Sequence, residues 1–293
     1  MGSRGRPCRA LLPLLTGSVI LAAMGCESAS HGKDNLPASS QRLSQVSVRL
    51  DLPSGGAPSL SVLAFRAEAI DVAASDVLGA VDPLVAPPPE SACELRDVTG
   101  TARMLRAQGG VLNLEELGGV SLQAGNQQPL HPAPRVYPPL ADVVSGVIAE
   151  AGPLDLPEAP PSVALQVPGP GAGASLTLEL PRSLSVADGT NRLLDLETHL
   201  DASQDLVLRV AGPPKTFLEI RPFGAPSAIA CATTADGWVV VPSDLLAKLV
   251  ASAGRAPVSF EAVWRESRVV SAGGELVRVA YEARSSAVLE LRP

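Results

Sequence analysis

Residues 258–284 decide the fold, and they read VSFEAVWRESRVVSAGGELVRVAYEAR. Apolar and polar residues alternate on both sides of the Gly273-Gly274 pair. A period of two places successive side chains on opposite faces of a strand, and a glycine pair between two such runs is typical of a hairpin turn. The stretch therefore predicts two strands, each with one face in a hydrophobic core.

The same alternation recurs along most of the chain. It is present in residues 46–52, 176–180, 206–210, 216–221 and 287–291. Residues that favour turns separate these runs, among them the Pro53-Ser54-Gly55-Gly56 and Asp236-Gly237 sequences. Short alternating strands divided by turns favour antiparallel sheets packed as a sandwich. The predicted fold class is mainly β, with an immunoglobulin- or fibronectin-III-like C-terminal domain.

One short helix is predicted within this β pattern. Ser243 is expected to be its N-cap, Asp244 lies in the first turn, and Gly254 ends it. Between them the apolar residues follow helical spacing, and they are Leu245, Leu246, Leu249 and Val250. We expect this helix to close one end of the sandwich.

Proline and glycine concentrate in two stretches, residues 83–89 and 152–175. Proline cannot donate to a strand ladder, so such segments usually form connections rather than central strands. We therefore predict a linker at 151–173 between an N-terminal β-rich domain, 46–150, and a C-terminal β-sandwich domain, 174–293. Glycine-rich residues 169–173 are expected to be part of this flexible connection, because they lack the lysine of a phosphate-binding loop.

Composition excludes several classes of protein. The chain has 293 residues, of which 46% are hydrophobic and 18% charged, so it has enough apolar residues to build a core. Its formal net charge of −7 is a poor match for nucleic-acid phosphates. Only 3% of residues are aromatic, which is few for a groove that stacks sugars or bases. We predict no nucleic-acid partner.

The first 45 residues have the composition of a targeting segment and a tether. Arg4, Arg6 and Arg9 precede an apolar run from residue 11 to residue 24. A basic start and an apolar run too short to span a bilayer predict a secretory signal peptide over residues 1–25. Residues 27–45 are small and polar without periodicity, which indicates a flexible tether.

The end of the apolar run, Leu21-Ala22-Ala23-Met24-Gly25-Cys26, resembles the lipobox of bacterial lipoproteins. That resemblance implies cleavage before Cys26, a diacylglycerol on its thiol, and often a further acyl chain such as palmitate. Gly25 and Cys26 fit the pattern, while Ala23 and Met24 replace the residues that are usual there. The alternative is an ordinary signal-peptide cleavage site near Cys26. Lipidation would place the protein in the cell envelope, on the periplasmic or surface face of the outer membrane.

Cleavage also changes the charge of the protein. Removing residues 1–25 takes away three arginines and no acid, which changes the formal net charge of −7 to −10. A charge of that sign disfavours binding of the globular part to anionic lipid. Cys26 is therefore the predicted contact with the bilayer.

The globular part resembles uncharacterised predicted lipoproteins of large-genome soil bacteria of the myxobacterial kind. Three stretches carry the resemblance: residues 135–146, Cys231 with residues 236–242, and residues 286–291. These stretches imply a location and a fold, and they imply no activity.

The four cysteines are expected to have different roles. Cys8 leaves with the signal peptide, and Cys26 is the lipidation site. Cys93 and Cys231 remain as an even pair in an oxidising compartment, which favours a disulfide between them. The alternative is two buried free thiols that pack as small apolar side chains.

A search for catalytic chemistry predicts no catalytic residue, no metal site and no cofactor. None of His31, His131 and His199 has the spacing of a zinc site, and no Gly-x-Ser-x-Gly nucleophile turn is present. Trp238 and Trp264 lie in strand-like runs and are expected in the core.

We therefore expect a membrane-anchored, non-catalytic lipoprotein that binds another envelope protein or polymer through its loops or an edge strand. The alternative from a different class is a secreted hydrolase with a site assembled from distant residues. Its candidates are His199 with nearby Asp201 or Asp205.

Overall fold

The computed structural model describes residues 40–54, 56–70, 89, 92–97, 111–138, 144–171, 173–194, 198, 200–223, 227–253, 257–289 and 291–292. The predicted signal peptide, Cys26 and most of the tether lie outside these residues, as do His31 and His199. Residues from Ala38 to Pro293 form one compact unit.

The prediction of a mainly β protein with one helix is confirmed in the described residues. The strands are β1 (Ser40–Asp51), β2 (Ser59–Ile70), β3 (Cys93–Asp97), β4 (Val111–Glu116), β5 (Ser121–Ala124), β6 (Ala133–Val136), β7 (Val144–Asp155), β8 (Ser162–Val167), β9 (Ala174–Glu179), β10 (Ser185–Asp188), β11 (Leu200–Asp201), β12 (Leu206–Ala211), β13 (Phe217–Pro222), β14 (Ser227–Ala232), β15 (Trp238–Val241), β16 (Val258–Ala272), β17 (Glu275–Leu289) and β18 (Leu291–Arg292). The helix, α1, spans Ser243–Ala253.

Ten strands form one large mixed sheet. Their order is β3-β14-β13-β16-β17-β1-β2-β4-β7-β6. The pairs β1–β17 and β4–β7 are parallel, and the other neighbours are antiparallel. Three smaller sheets have the orders β10-β12-β15, β5-β8-β9 and β11-β18.

The core lies on one face of the large sheet, which is here called the apolar face. Val48, Phe260 and Tyr281 from this face are fully buried. They belong to a single hydrophobic cluster with residues of both three-stranded sheets, such as Leu165 and Leu208. Trp264 packs edge-on against Tyr281 at 5.7 Å between ring centres, so its predicted place in the core is confirmed.

The β16–β17 hairpin follows the alternation of its sequence. Its register pairs Ala272 with Glu275 across the turn, as predicted from the glycine pair. Gly273 and Gly274 have φ of 60° and 89°. Two consecutive positive φ values are what a tight hairpin turn requires, and only glycine adopts them without strain.

Helix α1 has its predicted residues but a different cap. The Pro242 carbonyl accepts the Leu246 N–H at 3.2 Å, so Ser243 is the first helical residue rather than the N-cap. The Ser243 N–H donates at 2.8 Å to Asp205, a residue from the loop before β12. Leu246 and Leu249 are fully buried, and they fix the helix on the core.

The structure differs from the expected division at 151–173. This stretch contains the end of β7 and all of β8. Strands from both expected domains share the large sheet, because β1 pairs with β17 from Ser44↔Val277 to Asp51↔Arg284. Such a mixed sheet is not the antiparallel sandwich that local alternation favours, since the pairing of strands far apart in sequence leaves no trace in their patterns.

Candidate functional site

Two loops enclose the groove that we consider the candidate site. Residues 212–216 carry the chain from β12 to β13, and residues 233–237 carry it from β14 to β15. Both loops therefore pass between the three-stranded sheet β10-β12-β15 and the large sheet. Together with Pro89 and Phe217 they line an open groove of about 970 Å³, here called the loop groove.

The first loop is held by its own hydrogen bonds. The Thr216 N–H and hydroxyl both donate to the Pro213 carbonyl, at 3.2 and 2.6 Å. The turn presents Lys215 with a φ of 71°, an uncommon conformation for a residue with a side chain. Lys215 is exposed, so the loop directs its ammonium group toward solvent at the groove.

The second loop is fixed in the same way and is tied to the first. The Thr234 N–H donates to the Trp238 carbonyl at 2.8 Å, and the Trp238 N–H donates to the Thr234 hydroxyl at 3.0 Å. The Thr233 hydroxyl donates to the Thr216 carbonyl at 2.8 Å. The turn predicted at Asp236-Gly237 is present, but it joins strands of two different sheets rather than closing a hairpin.

Arg209, Lys215 and Asp236 are the charged residues that line the loop groove in the described part of the chain. The Arg209 guanidinium donates to the Asn191 side-chain oxygen at 2.9 Å and lies 5.8 Å from the centre of the Trp238 ring. This cation–π contact orients a guanidinium that remains accessible. Trp238 is half-buried rather than in the core, and Arg209 covers its ring.

Phe217, which lines the loop groove, contacts a cluster of buried charges. Phe217 is 2% exposed, and the Arg265 guanidinium lies 5.4 Å from the centre of its ring. Arg265 in turn donates to Glu282 at 2.9 and 3.1 Å. Arg265 therefore packs against Phe217, and the charge of Arg265 is neutralised by Glu282 within the sheet.

These charges lie on the second face of the large sheet, opposite the apolar face. The buried ion network consists of Arg49, Glu261, Arg265, Glu282 and Arg284. Arg49 contacts Glu282 at 2.9 Å, and Arg284 contacts both Glu282 and Glu261, the latter at 2.8 Å. Each carboxylate thus has a guanidinium partner within hydrogen-bond distance.

The network shifts the titration of its members. Burial would by itself raise the pKa of Glu282, but the guanidiniums of Arg284, Arg265 and Arg49 outweigh it and lower this pKa to about 2. Burial opposes the charge of Arg284 as well, yet the facing carboxylates raise its pKa. Both groups are therefore held in their charged forms.

The disulfide predicted between Cys93 and Cys231 is present in the structure, 138 residues apart in sequence. The two cysteines face each other in the antiparallel β3–β14 pair. Cys231 is fully buried in the core cluster, so the bond fixes edge strand β3 to the interior of the sheet.

The acids proposed for a hydrolase have other contacts. Asp201 accepts the Ser203 N–H and hydroxyl at 2.8 and 2.6 Å, and the hydroxyl hydrogen bond lowers its pKa. Asp205 accepts the Ser243 N–H at the start of α1, and that bond lowers its pKa. His131 is exposed just before β6, away from both in sequence. Their expected partner, His199, lies outside the described residues.

The described part of the chain has neither a cluster of metal-ligating side chains nor a membrane-spanning helix. No group of three or more His, Cys, Asp or Glu side chains there is placed to hold a metal ion. No helix there is both long enough and apolar enough to cross a membrane.

Comparison of the chain with known protein families, with curated proteins and with solved structures finds no match. The fold and the loop groove define a mainly β protein with an open groove built by two loops.

Gly212 is the residue on which the shape of the first loop depends. A Cβ at this position would lie 2.6 Å from Leu184 Cδ2 and even closer to the Thr216 hydroxyl oxygen. We expect Gly212→Ala to lower the free energy of unfolding by about 1–3 kcal/mol, because this overpacking forces the loop to move. Urea denaturation measures it.

Gly189→Ala is the matched control for this prediction. A Cβ there would make only ordinary contacts with Val207. We expect a change of less than about 0.5 kcal/mol. Equal effects of the two substitutions would contradict the close packing at Gly212.

Proposed function

We propose that this protein is a membrane-anchored, non-catalytic lipoprotein of the cell envelope, which binds an envelope protein or polymer in its loop groove. Acylated Cys26 would hold it to the outer membrane, and residues 27–45 would form a flexible tether between this anchor and the globular part. The observation that carries the binding role is a groove of about 970 Å³ between two loops fixed by their own hydrogen bonds.

A groove of this kind favours binding for two reasons. Its loops are already ordered, so a partner loses little free energy in fixing them. Its lining carries Arg209 and Lys215 against Asp236, in a chain whose formal net charge is −7. This local excess of positive charge favours an acidic partner over a basic one. Binding through loops at the ends of strands is also the mode of immunoglobulin- and fibronectin-III-like domains.

The anchor is tested by metabolic labelling with palmitate. We expect label on the wild-type protein and none on Cys26→Ser, because the thiol is the acceptor of the lipid. Cys8→Ser is the matched control and should keep the label, since Cys8 precedes the cleavage site. Globomycin, which blocks lipoprotein signal cleavage, should leave a longer labelled form. An unlabelled wild-type protein would refute the anchor.

The binding role is tested on the full chain with Cys26→Ser, so that retention by membranes does not depend on lipid. Co-sedimentation with isolated cell-envelope material is compared for this chain with and without Lys215→Glu. We expect Lys215 to make one ionic hydrogen bond with the partner, so reversing its charge should weaken binding about tenfold. Lys248→Glu, on the exposed side of α1, is the control and should bind as before. Equal binding of all three proteins would refute the role of the loop groove.

A further inference from the structure

Among the described strands, β6 and β3 are the two edges of the large sheet, and they differ in their ability to accept another strand. The Tyr137 N–H, just after β6, donates to Gly146 of β7 at 2.9 Å. Because backbone groups alternate in direction along a strand, Pro134 of β6 faces outward. Proline has no N–H to donate, so β6 is protected against pairing.

Within the described residues, edge strand β3 has no such protection, because its sequence from Cys93 to Asp97 contains no proline. The Ala232 N–H of β14 donates to the Ala92 carbonyl at 2.9 Å, so the backbones of Glu94 and Arg96 face β14. The alternate residues Cys93, Leu95 and Asp97 therefore direct their N–H and C=O groups outward. The Leu95 side chain is 41% exposed, which leaves an apolar residue at the centre of this edge.

The side chains of β3 are complementary to a second copy of themselves. Glu94 and Arg96 lie on one face of the strand and form an ion pair, with Arg96 Nε donating to Glu94 Oε1 at 2.7 Å. If two β3 strands run antiparallel about Leu95, Glu94 of each copy faces Arg96 of the other. A register centred on Glu94 or on Arg96 would instead place like charges opposite each other, which is unfavourable.

We propose that β3 is a self-association edge, which pairs antiparallel with β3 of a second copy about a two-fold axis at Leu95. Leu95 is then opposite Leu95 of the second copy, at a position where both backbones exchange hydrogen bonds. The two large sheets become one continuous sheet across the axis. The Cys93–Cys231 disulfide holds β3 in place before pairing, which reduces the entropy lost on association.

The first test uses Leu95→Cys in the full chain, with Cys8 and Cys26 replaced by serine in every variant. We expect a covalent dimer on a non-reducing gel, with a 95–95 linkage identified by mass spectrometry. Val136→Cys on β6 is the control: its side chain is 72% exposed, yet it should remain monomeric. Equal cross-linking of both variants, or of neither, would overturn the proposal.

The second test separates backbone pairing from charge by sedimentation velocity. Leu95→Pro removes an outward N–H, and a dimer loses two such hydrogen bonds, so we expect about 30-fold weaker association. Glu94→Arg should also weaken the dimer, and Glu94→Arg with Arg96→Glu should restore it. A wild-type chain that stays monomeric, a double variant that stays as weak as the single one, or strand pairing only with an unrelated peptide would refute a self-association edge.

Discussion

Replacing Cys93 and Cys231 by alanine is expected to lower the free energy of unfolding by about 5 kcal/mol, from the loss of loop-closure constraint. The bond closes a loop between residues 138 apart in sequence, so the unfolded chain gains much freedom when it is removed. Reduction of the wild-type disulfide should have a similar effect. Guanidinium denaturation of both forms measures the difference.

The structure indicates which strand would first become more mobile without the disulfide. Among the described strands, β3 pairs only with β14, and the disulfide joins these two strands. Without it, the five residues of β3 depend on one ladder of hydrogen bonds, so we expect faster amide exchange there than in β16.

Reductant itself supplies the control for this prediction. It should destabilise the wild-type protein and leave the double alanine variant unchanged, because the variant has no bond at this position. Two free thiols at Cys93 and Cys231 in the purified protein would contradict the prediction. So would a loss of unfolding free energy under about 1 kcal/mol, which is too small for a disulfide that closes a loop of this length.

The local elements of this fold could be predicted from the sequence because each depends on neighbouring residues. Alternation in residues 258–284 predicts β16 and β17, and the glycine pair predicts the turn between them. The apolar spacing after Pro242 predicts α1. A strand period or a helical period is repeated every few residues, so a short stretch is enough to show it.

The assembly of these elements could not be predicted in the same way. The parallel β1–β17 pair brings together Arg49 and Glu282, which are 233 residues apart. Alternation states which face of each strand is apolar, but it does not name the neighbouring strand. The prolines near 151–173 predict a division into two domains. They do not indicate that strands before and after this stretch belong to one sheet.

The candidate site shows the same limit. The sequence predicts a turn at Asp236-Gly237, but only the fold brings Asp236 together with Gly212 and Lys215 of the other loop. Asp205, one of the candidate acids of the alternative hydrolase, accepts a hydrogen bond at the start of α1. A carboxylate that caps a helix from a distant loop has no local signature.

Polar residues of the second sheet face also depart from the expectation drawn from alternation. In a strand with one face in the core, the alternate charged residues are expected in solvent. Glu282 is instead 0% exposed, and Arg265 and Arg284 are also buried. These charges can be buried because they compensate one another. After the disulfide, the buried ion network is therefore the second feature whose loss should strongly lower the free energy of unfolding.

Glu282→Gln is expected to lower the free energy of unfolding by about 3–5 kcal/mol, the usual loss when one partner of a buried ion pair is removed. The substitution keeps the size of the side chain but leaves the guanidiniums of Arg265, Arg284 and Arg49 without its charge. The same change at Glu150, whose pair with Arg135 is exposed, should cost less than about 1 kcal/mol. Thermal and urea denaturation of both variants measure the difference, and equal losses would contradict the importance of burial.

The dependence of stability on pH distinguishes the charge of Glu282 from its packing. Its pKa is lowered from an ordinary 4.5 to about 2 in the folded protein, so the unfolded state binds the proton more tightly. The stabilisation it contributes is therefore fully present above pH 4.5 and is lost as the pH falls toward 2. The lost free energy corresponds to about 3 kcal/mol. We expect the wild-type protein to lose stability steeply in this range and Glu282→Gln to lose less, so that their denaturation midpoints converge at low pH. Parallel curves for the two proteins would mean that the cost of the substitution comes from packing alone.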